Sequence, residues 1–153
     1  MKLRFAFAED APALEAVHAR AFDASWTADD IERLMRILGG FALIGEDDAG
    51  APVGFILART MAEEAEILTL AVAPWARRQG VGGALVDAAA AEAARRGARA
   101  MFLEVAADND AALGLYQALR FERAGLRKAY YARPGAPAAD ALVLRRTLNR
   151  PSP

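Results

Sequence analysis

Residues 66–83 have the sequence EILTLAVAPWARRQGVGG, and this stretch decides the fold class of the chain. Its apolar segment, residues 67–72, predicts a buried strand. A short loop with Arg77 and Arg78 follows, and GVGG at residues 80–83 then opens an alanine-rich helix. The first N–H groups of a helix lack partners within it, the helix dipole adds positive charge, and glycine lets a ligand approach the backbone. The stretch therefore predicts a binding site for a phosphorylated ligand.

Composition restricts the kind of protein to which this stretch belongs. The chain has 153 residues, of which 55% are hydrophobic, and its formal net charge is -1. This length predicts a single domain, which we place at residues 1–148, with a tail at residues 149–153. The charge balance argues against a nucleic-acid partner, because neutralising phosphates requires a basic face. The apolar runs are too short for a signal peptide or a membrane span, so we expect a cytoplasmic protein with no membrane partner.

The residue types that are absent or rare narrow the chemistry further. The chain has no Cys, one His and two Ser, so a thiolate nucleophile and a Cys-ligated zinc site are excluded, and we expect no metal. His18 falls on the first predicted helix, where we interpret it as a solvated or packed side chain. Ser25 and His18 alone are a poor basis for a Ser–His mechanism. Acid–base chemistry is therefore expected from carboxylates, Tyr, Lys or a group of the substrate.

Periodicity and turn signals predict the element order βααβββαβαββ. The predicted strands cover residues 3–7, 41–45, 53–59, 67–72, 101–105, 121–131 and 141–146. The predicted helices cover residues 10–22, with Asp10 as the N-cap, and residues 27–38, 80–96 and 109–119. A Pro/Gly loop is expected between the last two strands. This order is typical of a mixed α/β (α+β) fold with a mostly antiparallel sheet. One parallel crossover, from Val72 to Met101, is expected to pass through the glycine-opened helix.

The glycine turn has two competing interpretations. A strand, a GxG, a helix and an acid about twenty residues further on, here Glu104, resemble a dinucleotide-binding fingerprint. However, seven residues separate Val72 from Gly80, the third glycine position holds Leu85, and the unit lies in the middle of the chain. The glycines could instead only permit close helix packing, but the two neighbouring arginines would then have no role.

A resemblance to a known family sharpens the prediction. The pattern Arg77-x-x-Gly80-x-Gly82 after a strand resembles the acyl-CoA pyrophosphate loop of the GNAT superfamily of N-acetyltransferases. The flanking segments that agree with this family are AVAP at 71–74, LEVAADN at 103–109 and ALGLYQALRF at 112–121. The resemblance spans nearly the whole chain. It implies a GNAT-like fold, in which helices flank a mixed, mostly antiparallel twisted sheet that is splayed between its two central parallel strands.

Within the superfamily, the chain is most similar to the ribosomal-protein-alanine N-acetyltransferases. The shared features include Trp26 before the second helix, the EILTLAV and LEVAADN segments, and the tandem Tyr130-Tyr131 before a Pro/Gly loop. Two positions depart from the family's pattern. Arg120 stands where the family usually has glycine, and the acidic residue of the family's final loop is matched only loosely, by Asp140.

The resemblance implies that acetyl-CoA is the acyl donor. The backbone of Leu70, Ala71 and Val72 would lie along the pantetheine and the acetyl group, where a splayed strand leaves N–H and C=O groups free and one N–H can polarise the thioester. Asn109 would hold another polar group of CoA or act only as a helix N-cap, and the two roles are compatible. The residues implied for the pyrophosphate and its approach are Arg77, Arg78, Gln79, Gly80, Val81, Gly82 and Gly83.

The same resemblance implies two catalytic residues. Glu104 matches the family's proton acceptor, which acts directly or through a water, and Tyr116 matches the acid that protonates the CoA thiolate. Both have simpler explanations, since Glu104 alternates with apolar neighbours as a solvent-facing strand residue does, and Tyr116 has the helical spacing of a core residue. Without Cys or an activated Ser, direct attack in a ternary complex is the simplest scheme.

The acceptor is expected to be a primary amine. An α-amino group has a pKa of about 7.7–8.0, against about 10.4 for Lys, so a single carboxylate base suits an N-terminus better. The resemblance implies the N-terminal alanine of a ribosomal protein. The side chains expected at the acceptor site are Trp26, Glu63, Glu64, Tyr130 and Tyr131. The two glutamates would form an acidic rim for a basic N-terminal segment, or only a solvated turn. The tyrosines would wall the peptide groove, or be ordinary strand aromatics.

Two other functions are compatible with these residues. One is acetylation of a small-molecule amine, such as a polyamine, an aminoglycoside or an amino acid, on the same scaffold. The other is a non-catalytic sensor that binds acyl-CoA, which the presence of both Glu104 and Tyr116 disfavours. A screen for acetyl-CoA turnover with N-terminal peptides and free amines would separate the three.

Overall fold

The computed structural model describes residues 1–23 and 25–149. Seven strands within these residues form one sheet in the order β1-β2-β3-β4-β5-β7-β6. The strands are β1 (Lys2–Phe5), β2 (Gly40–Glu46), β3 (Pro52–Met61), β4 (Glu64–Val72), β5 (Ala100–Ala106), β6 (Glu122–Arg133) and β7 (Ala136–Thr147). The helices are α1 (Ala11–Ala21), α2 (Ala28–Arg36), α3 (Val81–Arg95) and α4 (Asp110–Ala118). The predicted element order and the mostly antiparallel sheet are confirmed, while residues 150–153 of the predicted tail lie outside the described residues.

Each face of the sheet has its own hydrophobic core. On one face, α1 and α2 pack over the middle strands around Leu14, Ile31 and Phe55, all of them fully buried. On the other face, α3 contributes a row of small and branched side chains, and α4 contributes Tyr116. The alanine-rich sequence of α3 lets this helix approach the sheet closely, because Ala89 and its neighbours add little side-chain bulk.

The central pair of parallel strands is splayed, as predicted. β4 and β5 are paired only over three positions, from Glu64 opposite Ala100 to Glu66 opposite Phe102. Just beyond that point the register between β3 and β4 shifts, which leaves Leu68 as an extra residue on β4. A bulge of this kind bends the strand that carries it. The rest of β4 therefore follows β3, while β5 follows β7, and a gap opens between them.

The starts of the first two helices use their acidic residues differently. Thr27 caps α2 by accepting a hydrogen bond from the backbone N–H of Asp30, as its position in the sequence predicts. Asp10 precedes α1, but its carboxylate makes no capping bond to that helix. It instead accepts hydrogen bonds from Arg4 at 2.9 and 3.0 Å and from the Phe7 N–H at 2.8 Å. The prediction that Asp10 caps α1 through its side chain is therefore wrong, because both carboxylate oxygens are already bonded to Arg4 and to the Phe7 N–H that precedes the helix.

The Pro/Gly loop predicted between the last two strands is much shorter in the structure. β6 and β7 remain paired as far as Arg133 opposite Ala136, so only Pro134 and Gly135 connect them. Gly135 has a φ of 69°, which is the left-handed conformation that a tight turn requires. The sequence suggested a loop because alanine and proline are poor strand formers. Pairing with the long β6 overrides that preference and produces an extended hairpin at the edge of the sheet.

Candidate active site

The splayed gap between β4 and β5 forms a cavity of about 350 Å³. Its lining comes from both faces of the sheet, because the missing strand pairing leaves an opening through the sheet. Six of the side chains predicted for the donor, the acceptor or the catalytic groups line this one cavity: Trp26, Leu70, Glu104, Asn109, Tyr116 and Tyr131. They come from six separate elements or connections of the chain. The structure therefore brings together residues that are as far apart as positions 26 and 131.

Glu104 lies on β5 and points to the face of the sheet on which α1 and α2 pack. Its neighbours Leu103 and Val105 are buried in the opposite core, as strand alternation requires. The Glu104 carboxylate is 23% exposed and forms an ion pair with Arg127 of β6, with Nε and Oε1 2.9 Å apart. A solvent-facing strand residue would be more exposed than this. Glu104 is instead a partly sheltered carboxylate in the wall of the cavity, which is where a proton acceptor is needed.

Tyr116 is held in the cavity by the end of α4. The N–H of Phe121 donates to the Tyr116 carbonyl at 2.9 Å, and the N–H of Arg120 donates to the Gln117 carbonyl at 3.0 Å. These two bonds form a Schellman motif, and its usual hydrophobic contact is present as edge-to-face packing of the Phe121 and Tyr116 rings, 5.4 Å between centroids. Burial raises the pKa of Tyr116 to about 12, so its hydroxyl keeps its proton at neutral pH.

Arg120 takes the glycine position of that motif. Its φ is 69°, so the chain keeps the left-handed turn that glycine favours although the residue carries a side chain. This conformation costs a non-glycine residue about 1–2 kcal/mol. The departure from the family's usual glycine therefore leaves the turn in place and lowers the stability of the fold.

The N-terminus of α3 forms a cradle of backbone N–H groups. Arg78 and Gly80 both have left-handed φ angles, 62° and 79°, and no side chain caps the helix. The N–H of Ala84 is bonded to the Gly80 carbonyl, and the three N–H groups before it, in residues 81–83, precede the first helical hydrogen bond. Such a run of free N–H groups, next to a left-handed residue, is suited to binding a phosphate or pyrophosphate.

The surroundings of Gly82 show how close the N–H cradle of α3 lies to the gap between β4 and β5. A side chain at this position would begin with a Cβ atom. It would lie 3.6–3.8 Å from side chains of Leu115, Val72 and Leu70, which is ordinary van der Waals contact. The open side of Gly82 therefore faces the space between the end of β4 and α4. A larger side chain at this position would occupy that space, and the helix itself would not be disturbed. The residues present thus fit a pyrophosphate-bearing ligand that continues into the gap.

The loop before α3 is exposed and partly self-bonded. Arg77 Nε lies 3.4 Å from the carbonyl of Val72, and Gln79 Nε2 donates to the Trp75 carbonyl at 3.2 Å. Of the strand residues predicted to face the donor, Leu70 lines the cavity and Val72 is half-buried, whereas the side chain of Ala71 is buried in the core on the α1 side. Only the backbone of Ala71 can therefore contribute to a site in the gap.

Asn109 combines the two roles that the sequence left open. Its Oδ1 accepts a hydrogen bond from the Ala112 N–H at 3.2 Å, which caps α4, and the residue also lines the cavity. The cap uses the carbonyl oxygen and leaves the amide NH₂ as a donor. Asn109 can therefore start the helix that carries Tyr116 and still offer a hydrogen bond to a ligand in the gap.

His18 is a wall residue that the sequence did not reveal. It is 2% exposed, its ring stacks on Trp26 with centroids 5.1 Å apart, and it lines the cavity. Its Nδ1 accepts a hydrogen bond from the Trp26 N–H at 3.1 Å, so Nε2 carries the proton of the neutral ring. Burial lowers the pKa of His18. A lone histidine on a helix gives no sequence signal for this contact, because Trp26 reaches it only when the α1–α2 connection folds back.

The two tandem tyrosines have different positions. Tyr131 is half-buried and lines the cavity, and burial together with the charge of Glu104 raises its pKa. Tyr130 is 51% exposed and lies outside the lining of the cavity, with its ring under the guanidinium of Arg127 at 5.2 Å. At the end of the cavity near Glu104, Trp26 and Tyr131 therefore form an aromatic wall. The Tyr130 ring instead packs against the guanidinium of Arg127.

The structure does not bring the two predicted acidic rim residues to the cavity. Glu63 and Glu64 lie at the turn between β3 and β4, at the end of the sheet where β4 begins. Glu63 pairs with Arg99 at 3.5 Å, and Glu63 and Glu64 border a separate surface depression with Phe102. At about 3.3 Å per strand residue, Glu64 is roughly 20 Å from Leu70 at the gap. An acidic rim at the acceptor entrance therefore finds no support in the structure.

Nowhere in residues 1–23 and 25–149 do three or more His, Asp or Glu side chains gather as metal ligands would. Among the helices of the same residues, none has the length and apolar character needed to cross a bilayer.

The sequence and the fold are both similar to those of known proteins. Residues 9–121 match the acetyltransferase (GNAT) family, and the chain belongs to this family. The family that this match defines is one of enzymes that transfer an acetyl group.

Several relatives carry a more specific name. The [ribosomal protein bS18]-alanine N-acetyltransferase of Escherichia coli (strain K12) is 38% identical over 82 residues, which are 54% of this chain and 55% of that protein. The chain thus matches about half the length of this relative. N-alpha-acetyltransferase RimI of Mycobacterium tuberculosis is 39% identical over 113 residues, covering 71% of this chain and 68% of that protein. The crystal structure of the ribosomal-protein-S18-alanine N-acetyltransferase from Escherichia coli has a TM-score of 0.88 and 26% identity, covering 99% of this chain and 96% of that chain.

Proposed function

We propose that this enzyme transfers the acetyl group of acetyl-CoA to the α-amine of a protein N-terminus, with the N-terminal alanine of a ribosomal protein as its target. The observation that carries the proposal is the splayed gap, which places Glu104 and Tyr116 in one cavity next to the N–H cradle of α3. The names of the relatives support the choice of target. Such a substrate and such a donor meet in the cytoplasm, where we propose that the enzyme works.

Acetyl-CoA would bind along the donor side of the gap. The pyrophosphate would accept hydrogen bonds from the first N–H groups of α3, and Arg77 and Arg78 would add charge at its approach. The pantetheine would follow the unpaired edge of β4 at residues 70–72, where strand N–H and C=O groups beyond Glu66 have no partner on β5. One N–H on this edge would donate to the thioester oxygen and stabilise the oxyanion as it forms.

The reaction would proceed by direct attack within a ternary complex. The neutral amine attacks the thioester carbonyl, a C–N bond forms, and the carbonyl electron pair moves to oxygen. Glu104, directly or through a water, accepts the proton that the amine loses. When the C–S bond breaks, Tyr116 donates its proton to the leaving thiolate, and its raised pKa means that the proton is present at neutral pH. An acetyl-enzyme is not needed, because the chain has no Cys.

The acceptor would enter between the α1–α2 connection and the β6–β7 hairpin. Trp26 and Tyr131 stand at this end of the cavity, and the buried ring of His18 lies behind Trp26. Two flat aromatic walls favour an unbranched or small first residue over a bulky one, because a large side chain would need to displace them. An α-amine is the best-suited acceptor, since an appreciable fraction of it is neutral near pH 7.5.

The test is an acetyl-CoA turnover screen with matched acceptors. A peptide that begins with Ala should be acetylated on its α-amine, as located by mass spectrometry of the product. The same peptide with a blocked N-terminus and a free Lys should react much more slowly. Faster turnover of spermidine or an aminoglycoside, by orders of magnitude, would replace this proposal with small-molecule acetylation. Binding of acetyl-CoA without turnover of any acceptor would instead indicate a sensor.

A further inference from the structure

The Glu104 carboxylate has a partner that the proposed chemistry does not use. Arg127 Nε lies 2.9 Å from Glu104 Oε1, which is a close distance for an ion pair. Within residues 1–23 and 25–149, this ion pair is the one polar contact of the Glu104 side chain. The carboxylate is therefore tied to the protein by one ion pair while the residue lines the gap. A flexible glutamate is in this way held from the side of β6.

Arg127 is placed by the strand register. Ala141 of β7 is paired both with Ala106 of β5 and with Arg127 of β6, and Val143 is the partner of Glu104. Arg127 and Glu104 are thus on one face of the sheet, two strands apart and displaced by one side-chain step along them. A guanidinium reaches across β7 over the small side chain of Ala141, which is fully buried. A larger residue there would separate the two charges.

A bulge in β6 keeps Arg127 in this position. Between the pairs Arg127–Ala141 and Tyr131–Ala139, β6 has three residues where β7 has only Asp140. The middle one, Ala129, has a φ of 51°, and its N–H donates to Asp140 Oδ1 at 2.8 Å. The bulge turns the ring of Tyr130 under the Arg127 guanidinium at 5.2 Å. The aromatic face and the carboxylate together fix the direction of the arginine.

We propose that Arg127 is a positioning residue, which holds the Glu104 carboxylate at the gap so that it meets the acceptor amine or a bridging water. The inference rests on the proposed function, because it gives the arginine a role through the proposed base. It also assigns a purpose to the β6 bulge and to Asp140, the residue that the sequence matched only loosely to the family. A displacement of about 1 Å of a catalytic group can cost 10²-fold in rate. Loss of the ion pair between Arg127 and Glu104 should therefore lower the rate measurably.

The kinetic test compares Arg127→Met with Lys128→Met, each alone and combined with Glu104→Gln. Lys128 is the next residue on β6, is exposed, and loses the same charge, so it controls for the change in net charge. Arg127→Met should lower kcat about tenfold with an unchanged Kd for acetyl-CoA. In the Glu104→Gln background it should change kcat less than twofold, because the group that it positions is gone. An equal loss in both backgrounds, or no loss in the first, would overturn the proposal.

A second measurement does not depend on activity. The ¹³C resonance of the Glu104 carboxyl group can be assigned by its disappearance in Glu104→Gln. It should move in Arg127→Met and stay in place in Lys128→Met. A resonance that Arg127→Met leaves unchanged would show that the arginine does not hold the carboxylate. If no acceptor is turned over at all, the proposed function fails, and this spectrum still decides whether Arg127 positions Glu104.

Discussion

The two ends of the cavity are built in different ways. The donor end is one continuous stretch, residues 70–83, and it offers mainly backbone groups: the free edge of β4 and the first N–H groups of α3. The acceptor end consists of side chains from α1, the α1–α2 connection, β5 and β6, represented by His18, Trp26, Glu104 and Tyr131. Backbone geometry is set by local conformation, whereas side chains distant in sequence meet only after the sheet has formed.

This difference between the two ends predicts that substitutions at each end will change different measured quantities. Substitutions at the donor end should weaken the binding of acetyl-CoA, because they change the space around fixed N–H groups. Substitutions at the acceptor end should change turnover or local stability and leave the affinity for acetyl-CoA unaltered. A variant that affected both quantities equally would show that the two ends are one site.

The largest effect is expected at the acceptor end, for Glu104→Gln. Loss of a positioned base should lower kcat about 10²-fold or more at neutral pH, with the Kd for acetyl-CoA unchanged. Part of the loss should return at high pH, where the amine is already neutral. Steady-state kinetics and calorimetry measure the two quantities, and Glu122→Gln, at an exposed position on β6, is the control. Turnover at the rate of the unchanged protein would remove Glu104 from the mechanism.

Tyr116→Phe should have the next largest effect, about 10-fold or more on kcat, because the thiolate would leave unprotonated. The Kd for acetyl-CoA should remain the same. Since the pKa of Tyr116 is raised to about 12, the unchanged protein should show no loss of activity from its deprotonation up to about pH 10. Tyr130→Phe, outside the cavity, should have no effect in the same assay. Equal rates for both variants would make Tyr116 a core residue only.

Gly82→Val tests the donor end. A valine would fill the space that faces Leu70, Val72 and Leu115, so the Kd for acetyl-CoA should rise about tenfold while the thermal unfolding midpoint changes little. Isothermal calorimetry with acetyl-CoA and with CoA measures the change. Gly114→Val is the matched control, because a side chain there meets open space. An unaltered Kd in a folded Gly82→Val protein would contradict the anion cradle.

His18 makes the acceptor end sensitive to pH. Its pKa is lowered by burial, so the folded state binds fewer protons than the unfolded state below about pH 6.5. This contribution to stability is complete above that pH and is lost as the pH falls toward the lower pKa of the folded state, with a slope of at most about 1.4 kcal/mol per pH unit. Urea unfolding between pH 7 and 5 measures it. His18→Gln should reduce this slope, and an identical slope would show that the ring is solvated.

The smallest effect is expected where the chain departs from the family's glycine. Arg120→Gly should raise the free energy of unfolding by about 0.5–1 kcal/mol, because the relief of left-handed strain exceeds the extra entropy of glycine in the unfolded chain. Arg123→Gly, at a β6 position without a left-handed φ, should instead be destabilising. Urea unfolding of both variants provides the measurement. A loss of stability in Arg120→Gly would mean that the arginine side chain makes a contact that offsets the strain.

Several features were predictable from the sequence because their causes are local. Thr27 and Asp30 predict the start of α2, and Asn109 predicts the start of α4, since a cap depends on residues three positions apart. Gly80 and its neighbours predict the start of α3. The pairing of β4 with β5 over a short length followed from the resemblance to the family. The bulge at Leu68 that ends this pairing has no signal of its own, because its residue types are those of any buried strand.

The length of the β6–β7 hairpin and the partners of several acidic residues were predicted less well. Alanine and proline at residues 132–139 indicate a loop, and only the pairing of β6 with β7 makes residues 132–133 and 136–139 parts of strands. Glu63, Glu64 and Asp10 all looked available for a site or a cap. Asp10 instead pairs with Arg4, six residues before it, and Glu63 pairs with Arg99, which lies just before β5. Ion pairs of this kind depend on which strands become neighbours, and a single sequence does not state that.

The sequence by itself determined the fold class, the donor loop and the residue types that could do the chemistry, because each depends on short-range pattern or on composition. The tertiary structure decided where those residues meet. The ends of β4 and β5 diverge after three pairs, and the gap brings Glu104 and Tyr116 into one cavity. Register across β5, β7 and β6 sets Arg127 beside Glu104, and the folded α1–α2 connection lays Trp26 on His18. These contacts join residues far apart in the chain, so they exist only when the whole sheet is packed.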